Sequence, residues 1–576
     1  MNIIDLKNTL ADYLLEKLSA ISDSHGLSGA ELRDMLEYPP NPELGELAFP
    51  CFKLSRALHK APPAIASALS DGFSLSCIKK VQTAGAYLNF FIADSFYTDG
   101  VLGEIAERGD RYGSCDIGNG KTVVLDYSSP NVAKPFHIGH LGSTAIGHSI
   151  RLLHSFAGYK CVAINHLGDW GTQFGKLIVA YRLWGTKQAV EENGLDELVA
   201  LYVRFHKEAE NDKSLEDKAR AEFTKLEHHD PENTALWKWL ISFSLIEYKK
   251  TYKQLGIEFD SYAGESFYSD KMEEQVQLLR DKNLLKLDNG ASLVDLEKYK
   301  MPPCLILKSD GSTLYPARDI AAAVYRKRTY NFDKCIIVTS AAQSLHFAQW
   351  FKVVELMGYD WYGQLVHIPY GTVSINGAKL ATRTGNVVLL KDLFAQAIEK
   401  VREIIETKSP DLENKDDTAE AVGVGAIVFH YLYNSRIKDI DFVMEDALSF
   451  DGATGPYAQY THARACSIIA RSGMSDTDIA SWHGEHELCE EERALIRTLS
   501  LFNEKVLEAI DSYEPCVITR YIIDIATGFN RFYHECQILG ADDENTKRFR
   551  LKLTLASRIA LKNALALICL RAPEKI

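Results

Sequence analysis

The spacing of apolar residues changes period several times along the chain, and each change predicts an element. MNIIDLKNTLADYLLEKL, at the start, alternates apolar and acidic positions at helical spacing and predicts an amphipathic helix. The segment from Lys80 to Ile92 predicts strand material broken by a turn. The β-branched run Val123-Val124-Leu125-Asp126-Tyr127 predicts a short buried strand. After a polar Ser-Pro loop, Leu141, Ile146, Ile150 and Leu153 share one face of a predicted helix. Cys161 to Asn165 predicts a second strand, and Gly168, Gly171 and Gly175 turn it into another helix. Further strands are predicted at Pro303–Lys308 and Lys334–Thr339, with helices opening at Tyr315-Pro316 and Gln343. This alternation predicts one buried parallel sheet covered by helices.

The pattern divides the chain in three. Residues 1–117 read as an α+β domain, and 118–395 as a Rossmann-like α/β domain. A charged helical insertion at about 186–255 interrupts the latter; from 396 to 576 the pattern is all-α. Gly118-Asn119-Gly120-Lys121-Thr122 is not a phosphate-binding P-loop, because Cys115 stands where that motif needs glycine and strand residues follow it.

Composition narrows the class. The 576 residues are 46% hydrophobic and 25% charged, ordinary for a globular chain with several cores. No apolar run reaches the roughly 18–20 residues of a membrane span, and the N-terminal helix carries acids, unlike a signal peptide. Eleven cysteines without a C-x-x-C pair point to reduced thiols and a cytoplasmic location. His483, His486 and Cys489 lie close in sequence, but they lack a fourth ligand and no metal site is expected there. A net charge of −14 argues against indiscriminate nucleic-acid binding. RNA needs only a local basic face, and Lys547, Arg548, Arg550, Lys552, Arg558, Lys562 and Arg571 are expected to form one.

Candidate chemistry gathers where the 123–127 strand gives way to His137-Ile138-Gly139-His140. A strand, a loop and a helix N-terminus make an anion pocket, because unpaired backbone N–H groups and the dipole both face it. Glycine lets a flat base approach the backbone, and imidazoles can donate to phosphate oxygens. Tyr315 and Asp319 stand four apart at the start of a helix and so can face one cleft. Tyr457, Tyr460 and Arg464 share a helix face suited either to stacking on bases or to a bundle core.

The string SSPNVAKPFHIGHLGST resembles the HIGH signature of class I aminoacyl-tRNA synthetases, in the form found in arginyl-tRNA synthetases. NHLGDWGTQFG at 165–175, TGPYAQYTHAR at 454–464 and the ending APEKI resemble further strings of the arginyl family. The resemblance implies a class I catalytic domain with helical insertion, an N-terminal tRNA-contacting domain and a C-terminal anticodon-binding domain. It implies ATP-dependent activation of L-arginine to arginyl-adenylate and transfer to the 2′-hydroxyl of the terminal adenosine of tRNA(Arg). Its partners are ATP with Mg²⁺, arginine and tRNA(Arg), and a monomer is expected.

Residue by residue, the resemblance assigns His137 and His140 to the developing phosphate charge, Gly139 to adenine, and Lys134 to phosphate. Lys379 and Arg383 occupy the slot of the KMSKS loop, which here reads KLATRTG. Asp126, Asn131, Glu265, Tyr315, Asp319 and Gln343 are assigned to arginine; Asn89, Tyr457, Tyr460 and Arg464 to tRNA. A guanidinium presents a planar fork of five donors, so a carboxylate with planar acceptors suits arginine and leaves lysine underpaired. Gly142 replaces the family's usual arginine, and with the eroded KMSKS slot it leaves open a non-catalytic RNA-binding relative. A class I synthetase of another specificity is the second alternative.

Overall fold

The structure, a computed structural model, describes residues 2–22, 26–379 and 388–576. The N-terminal unit is α+β, as expected. The helix Ile3–Ile21 begins with a capping box in which Asn2 and Asp5 satisfy each other's backbone N–H groups. It buries Leu6, Leu10, Leu14 and Leu18. Strands β1 (Leu47–Pro50), β2 (Ile78–Ala84) and β3 (Tyr87–Ile92) form an antiparallel sheet in the order β1-β3-β2.

The central sheet contains β4 (Thr122–Asp126), β5 (Lys160–Ile164), β9 (Lys334–Ser340) and β10 (Leu365–Tyr370). All its pairings are parallel, in the order β10-β9-β4-β5. Period-2 alternation sends its side chains to two layers. Val123, Leu125, Ile336 and Val338 join a core shared with the terminal units, while Val124, Cys335 and Ile337 join a second core on the opposite face. Between β5 and β9 a small antiparallel sheet is built from β6 (Leu285–Asp288), β7 (Ala291–Val294) and β8 (Cys304–Leu307).

Connections leave β4 toward β5 on one side, and β9 continues to β10 on the other. The crevice at the carboxyl ends of β4 and β9 is therefore a topological switch point, where open α/β sheets bind ligands.

The insertion is helical, with Leu195–Asn211, Ser214–Glu227 and Pro231–Gln254 as its longest elements. The C-terminal region is a bundle of helices, but it is not wholly helical: a three-residue strand, Ile440–Phe442, pairs in parallel with Val373–Ile375. The boundary expected at 395 falls inside the Leu390–Lys408 helix. No described helix is long and apolar enough to cross a membrane.

The basic face expected between 547 and 575 does not form, because acids, most of them distant in sequence, pair with its cations. Arg550 pairs with Glu492, Arg558 with Asp476, Lys562 with Asp110, and Arg571 with Asp417 and Glu420. Lys547 and Arg548 share Glu544, and Lys552 is buried with its ammonium on the Trp482 carbonyl.

Candidate active site

The loop from β4 to the helix Ile138–Phe156 is held in an unusual conformation. Ser128, Ser129 and Ala133 all have positive φ, at 70°, 46° and 62°. Non-glycine residues adopt such angles at a cost that surrounding contacts must offset. Several of those contacts come from the insertion helix Pro231–Gln254, where Ser244, Tyr248 and Tyr252 follow each other at one-turn spacing. Ser244 Oγ accepts from the Ala133 N–H at 3.1 Å, and the Tyr248 hydroxyl donates to the carbonyls of Asn131 and Lys134 at 2.9 and 2.6 Å. Tyr252 Oη meets Ser128 Oγ at 2.8 Å. The charged insertion thus does more than face solvent, and its signal in the sequence is the polar stripe S-x-x-x-Y-x-x-x-Y at 244–252.

His137 is the N-cap of the helix, and its Nδ1 accepts the Gly139 N–H at 3.1 Å. His140 Nδ1 in turn accepts the His137 N–H at 3.1 Å, and the two ring centroids lie 3.8 Å apart. Burial pushes His137 down to about 4, with Lys134 adding to the effect. Burial likewise takes His140 down to about 3, helped by His137 and Lys134. Both imidazoles are thus neutral at pH 7. With Nδ1 accepting, the remaining proton sits on Nε2, so each ring offers a neutral N–H donor rather than a positive charge. Positive charge at this helix N-terminus comes from Lys134, which is exposed.

The chain that follows the slot expected to hold Lys379 and Arg383 reaches this point at Leu389 and Leu390. Leu389 bridges His137, and the Leu390 N–H donates to the Phe136 carbonyl at 2.9 Å. Lys379 ends a short strand paired with Ser374. Its side chain and the whole of Arg383 lie outside the described residues.

At the carboxyl ends of β4 and β9 lies a cavity of about 510 Å³. All six residues assigned to arginine line it: Asp126, Asn131, Glu265, Tyr315, Asp319 and Gln343. Its three carboxylates are not equivalent. Asp126 is buried, accepts Arg326 Nη2 at 2.7 Å on one oxygen and Ser129 Oγ at 2.8 Å on the other, and so is already neutralised. Both its oxygens are thus engaged within the chain, and the carboxylate anchors Arg326 and the loop. Glu265 pairs with Arg318 at 2.7 Å. Burial raises the Glu265 carboxyl to about 7, against the pull of Arg318 and with Asp319 and Asp169 adding to the rise.

Asp319, by contrast, faces an imidazole, His346, whose Nε2 donates to Oδ2 at 2.6 Å. Tyr315, 66% exposed, stands at the rim, and exposed Gln343 caps the Ser344–Leu356 helix. Arg318, Arg326, His346 and His166 were not foreseen, since their partners are remote in sequence. Burial lowers His166 to about 4, and its Nδ1 accepts from Arg326 at 3.1 Å.

The residues assigned to tRNA divide. Asn89 is 3% exposed within β3. Tyr457, Tyr460 and Arg464 line a second cavity of about 540 Å³ with Lys408, Asn530 and His534. The Arg464 guanidinium lies over Tyr460 and Tyr533 at 5.0 and 5.1 Å, and Asn530 bridges it to the Tyr457 hydroxyl.

A parallel sheet split by a helical insertion, a HIGH-like string capping the first helix at the switch point, and a C-terminal helical bundle define a class I aminoacyl-tRNA synthetase. The family described as "tRNA synthetases class I (R), catalytic domain" matches residues 104–444. The "DALR anticodon binding domain" matches 458–576, and the "Arginyl tRNA synthetase N terminal domain" matches 8–92. The chain is 50% identical to an arginine–tRNA ligase of Alkaliphilus metalliredigens over 96% of its own length and 97% of the relative's. It is 49% identical to that of Clostridioides difficile over 99% and 100%. The solved arginyl-tRNA synthetase of Thermus thermophilus has the same fold, with a TM-score of 0.81 at 24% identity over 99% of this chain and 100% of that one. The chain belongs to the arginyl-tRNA synthetases.

Proposed function

We propose that this chain joins L-arginine to tRNA(Arg) with its own catalytic residues, by the following division of labour. The arginine carboxylate attacks the α-phosphorus of ATP in line, pyrophosphate leaves, and the terminal 2′-hydroxyl of tRNA then takes the arginyl group. No side chain need become covalently attached; the protein supplies placement and charge stabilisation. ATP enters as its magnesium complex, the metal belonging to the substrate.

His137 and His140 donate from Nε2 to the phosphate oxygens on which charge develops, and Lys134 supplies the positive charge. Lys379 and Arg383 serve the same phosphates, and Gly139 allows adenine to approach. Asp319 takes the guanidinium, with Glu265, Tyr315 and Gln343 fixing its plane and Asn131 meeting the α-amino end. The observation that carries this reading is the inequality among the cavity's carboxylates. Asp126 and Glu265 each hold a guanidinium of the chain itself, whereas Asp319 holds an imidazole. A cationic fork therefore gains most at Asp319.

Tyr457, Tyr460 and Arg464 bind tRNA, through stacking on the exposed Tyr460 ring. The protein acts as a cytoplasmic monomer. Charging of tRNA(Arg) with labelled arginine tests the assignment. The wild type charges, and His140→Ala lowers the rate by about 100-fold or more; charging unchanged in that variant removes the histidine from the mechanism.

A further inference from the structure

Outside the catalytic domain, one cluster of metal-ligating side chains among the described residues remains unexplained. Cys489 is the N-cap of the helix Glu490–Ser500, and Glu492 stands one turn into it. Cys536 is the C-cap of the helix Cys516–Glu535. The packing of these helices brings the two sulfurs to 3.6 Å, and one ligand atom from each of Cys489, Glu492 and Cys536 falls within 4.8 Å of the others.

We propose that Cys489, Cys536 and Glu492 form a binding site for a thiophilic divalent cation of the zinc class.

The separation is a contact of two reduced thiols and also fits a shared cation, but not a disulfide. Two sulfurs each about 2.3 Å from a tetrahedral zinc lie about 3.8 Å apart, close to the separation seen. A disulfide needs about 2.05 Å.

Charge points the same way. Two thiolates and a carboxylate around a divalent cation carry a net −1, and the guanidinium of Arg550 offsets it. Arg550 Nε donates to Glu492 Oε1 at 2.8 Å. With the thiols protonated the group is also neutral, as Glu492 and Arg550 alone. Entry of the cation forms two metal–sulfur bonds, breaks two S–H bonds and releases two protons to solvent, so neutrality is kept throughout.

The carboxylate is also oriented before any cation arrives. Its Oε2 accepts from His486 Nε2 at 2.8 Å and from the Cys489 N–H at 3.0 Å. His486 is itself stacked on Phe549, with ring centroids 4.1 Å apart. Such hydrogen bonds behind a ligand are what fixes it toward a metal. Glu492 and Cys536 are buried, while Cys489 is partly exposed and offers the entry path, with water as fourth ligand. Thiolate ligands select zinc, cadmium or copper(I) over magnesium and calcium. The short string around His483 did not suggest this arrangement, because the second thiol comes from 47 residues further on.

Cadmium is the direct probe. Full-length protein, reduced and freed of metal, is titrated with Cd²⁺ while the thiolate-to-cadmium absorption band is followed. One equivalent is expected to bind, to be displaced by Zn²⁺ and to be indifferent to Mg²⁺. Cys489→Ser and Cys536→Ser should each weaken binding by at least about 100-fold, whereas Cys51→Ser should not. If a serine variant fails to fold, alkylation of the wild type decides: Cd²⁺ should protect Cys489 and Cys536 selectively. A band that survives the double serine variant, or alkylation unaffected by Cd²⁺, overturns the proposal. So does a Cys489–Cys536 disulfide that forms without added oxidant and leaves no band after reduction.

Discussion

Gly142 lies directly against Tyr431. A Cβ built on Gly142 would collide with the tyrosine hydroxyl and come within 2.9 Å of its Cζ and 3.0 Å of Tyr370 Cε2. The arginine that the family usually places here has no room, since Tyr431, 3% exposed, occupies the space. Gly142 thus lets the helices Ile138–Phe156 and Lys415–Tyr433 pack closely at Tyr431. This removes one reason for reading the chain as a non-catalytic relative.

Substituting Gly142→Arg should therefore destabilise the protein by about 3 kcal/mol through overpacking. Adding Tyr431→Ala should restore part of that loss. Urea unfolding of the two variants checks this; a single variant as stable as the wild type contradicts it.

Asp319→Asn should raise KM for arginine and lower kcat/KM by about 100-fold. A charge-assisted hydrogen bond is worth about 1.5–3 kcal/mol. Circular dichroism should remain unchanged, because Asp319 has its cavity face and His346 as its surroundings and lies in no core. Kinetics near the wild type would remove Asp319 from the site.

Arginine binding should weaken in acid through Glu265. Its carboxyl titrates at about 7 in the free protein. A cationic substrate favours the ionised form, so KM for arginine should be flat above pH 7 and rise up to tenfold per unit below it. In Glu265→Gln the KM should be high throughout and lose this dependence. A slope that persists in the variant assigns the titration to another group.

Buried imidazoles set the acid limit of stability. Burial holds His148 at about 3 and His154 at about 4, alongside the two signature histidines. Unfolded, each titrates near 6.5. From about pH 6.5 down to 4 the unfolded state binds more protons, so stability falls as pH falls. Asp169 and Glu265, raised by burial, oppose this over part of the range. Urea midpoints at pH 7.5 and 5.5 in His148→Asn and wild type isolate the imidazole contribution. The acid loss should shrink in the variant; an unchanged loss contradicts the assignment.

What could be read in the sequence was local. The strand before His137, the helix after it, and Tyr315 and Asp319 one turn apart all depend on neighbours in the chain, and the last two line one cavity as their spacing suggested. Charge partners depend on the fold. Asp126 with Arg326 is separated by 200 positions, and Arg182 reaches Glu222 and Glu232 within the insertion. The cations of the last helix look basic in sequence, because Glu492, Asp476 and Asp110 that neutralise them come from elsewhere. The burial of Asn89 is hidden for a similar reason: strand position alone does not tell which residue the neighbouring layer covers.

Arginine-dependent exchange of pyrophosphate into ATP, measured with and without tRNA(Arg) and repeated with lysine, tests the central claim most directly. Exchange with arginine in the presence of tRNA, and at least about a thousandfold less with lysine, is the predicted result. Folded protein that gives no exchange with arginine under either condition, or equal exchange with lysine, contradicts an acidic slot for a planar cation beside a neutral pair of phosphate-binding imidazoles.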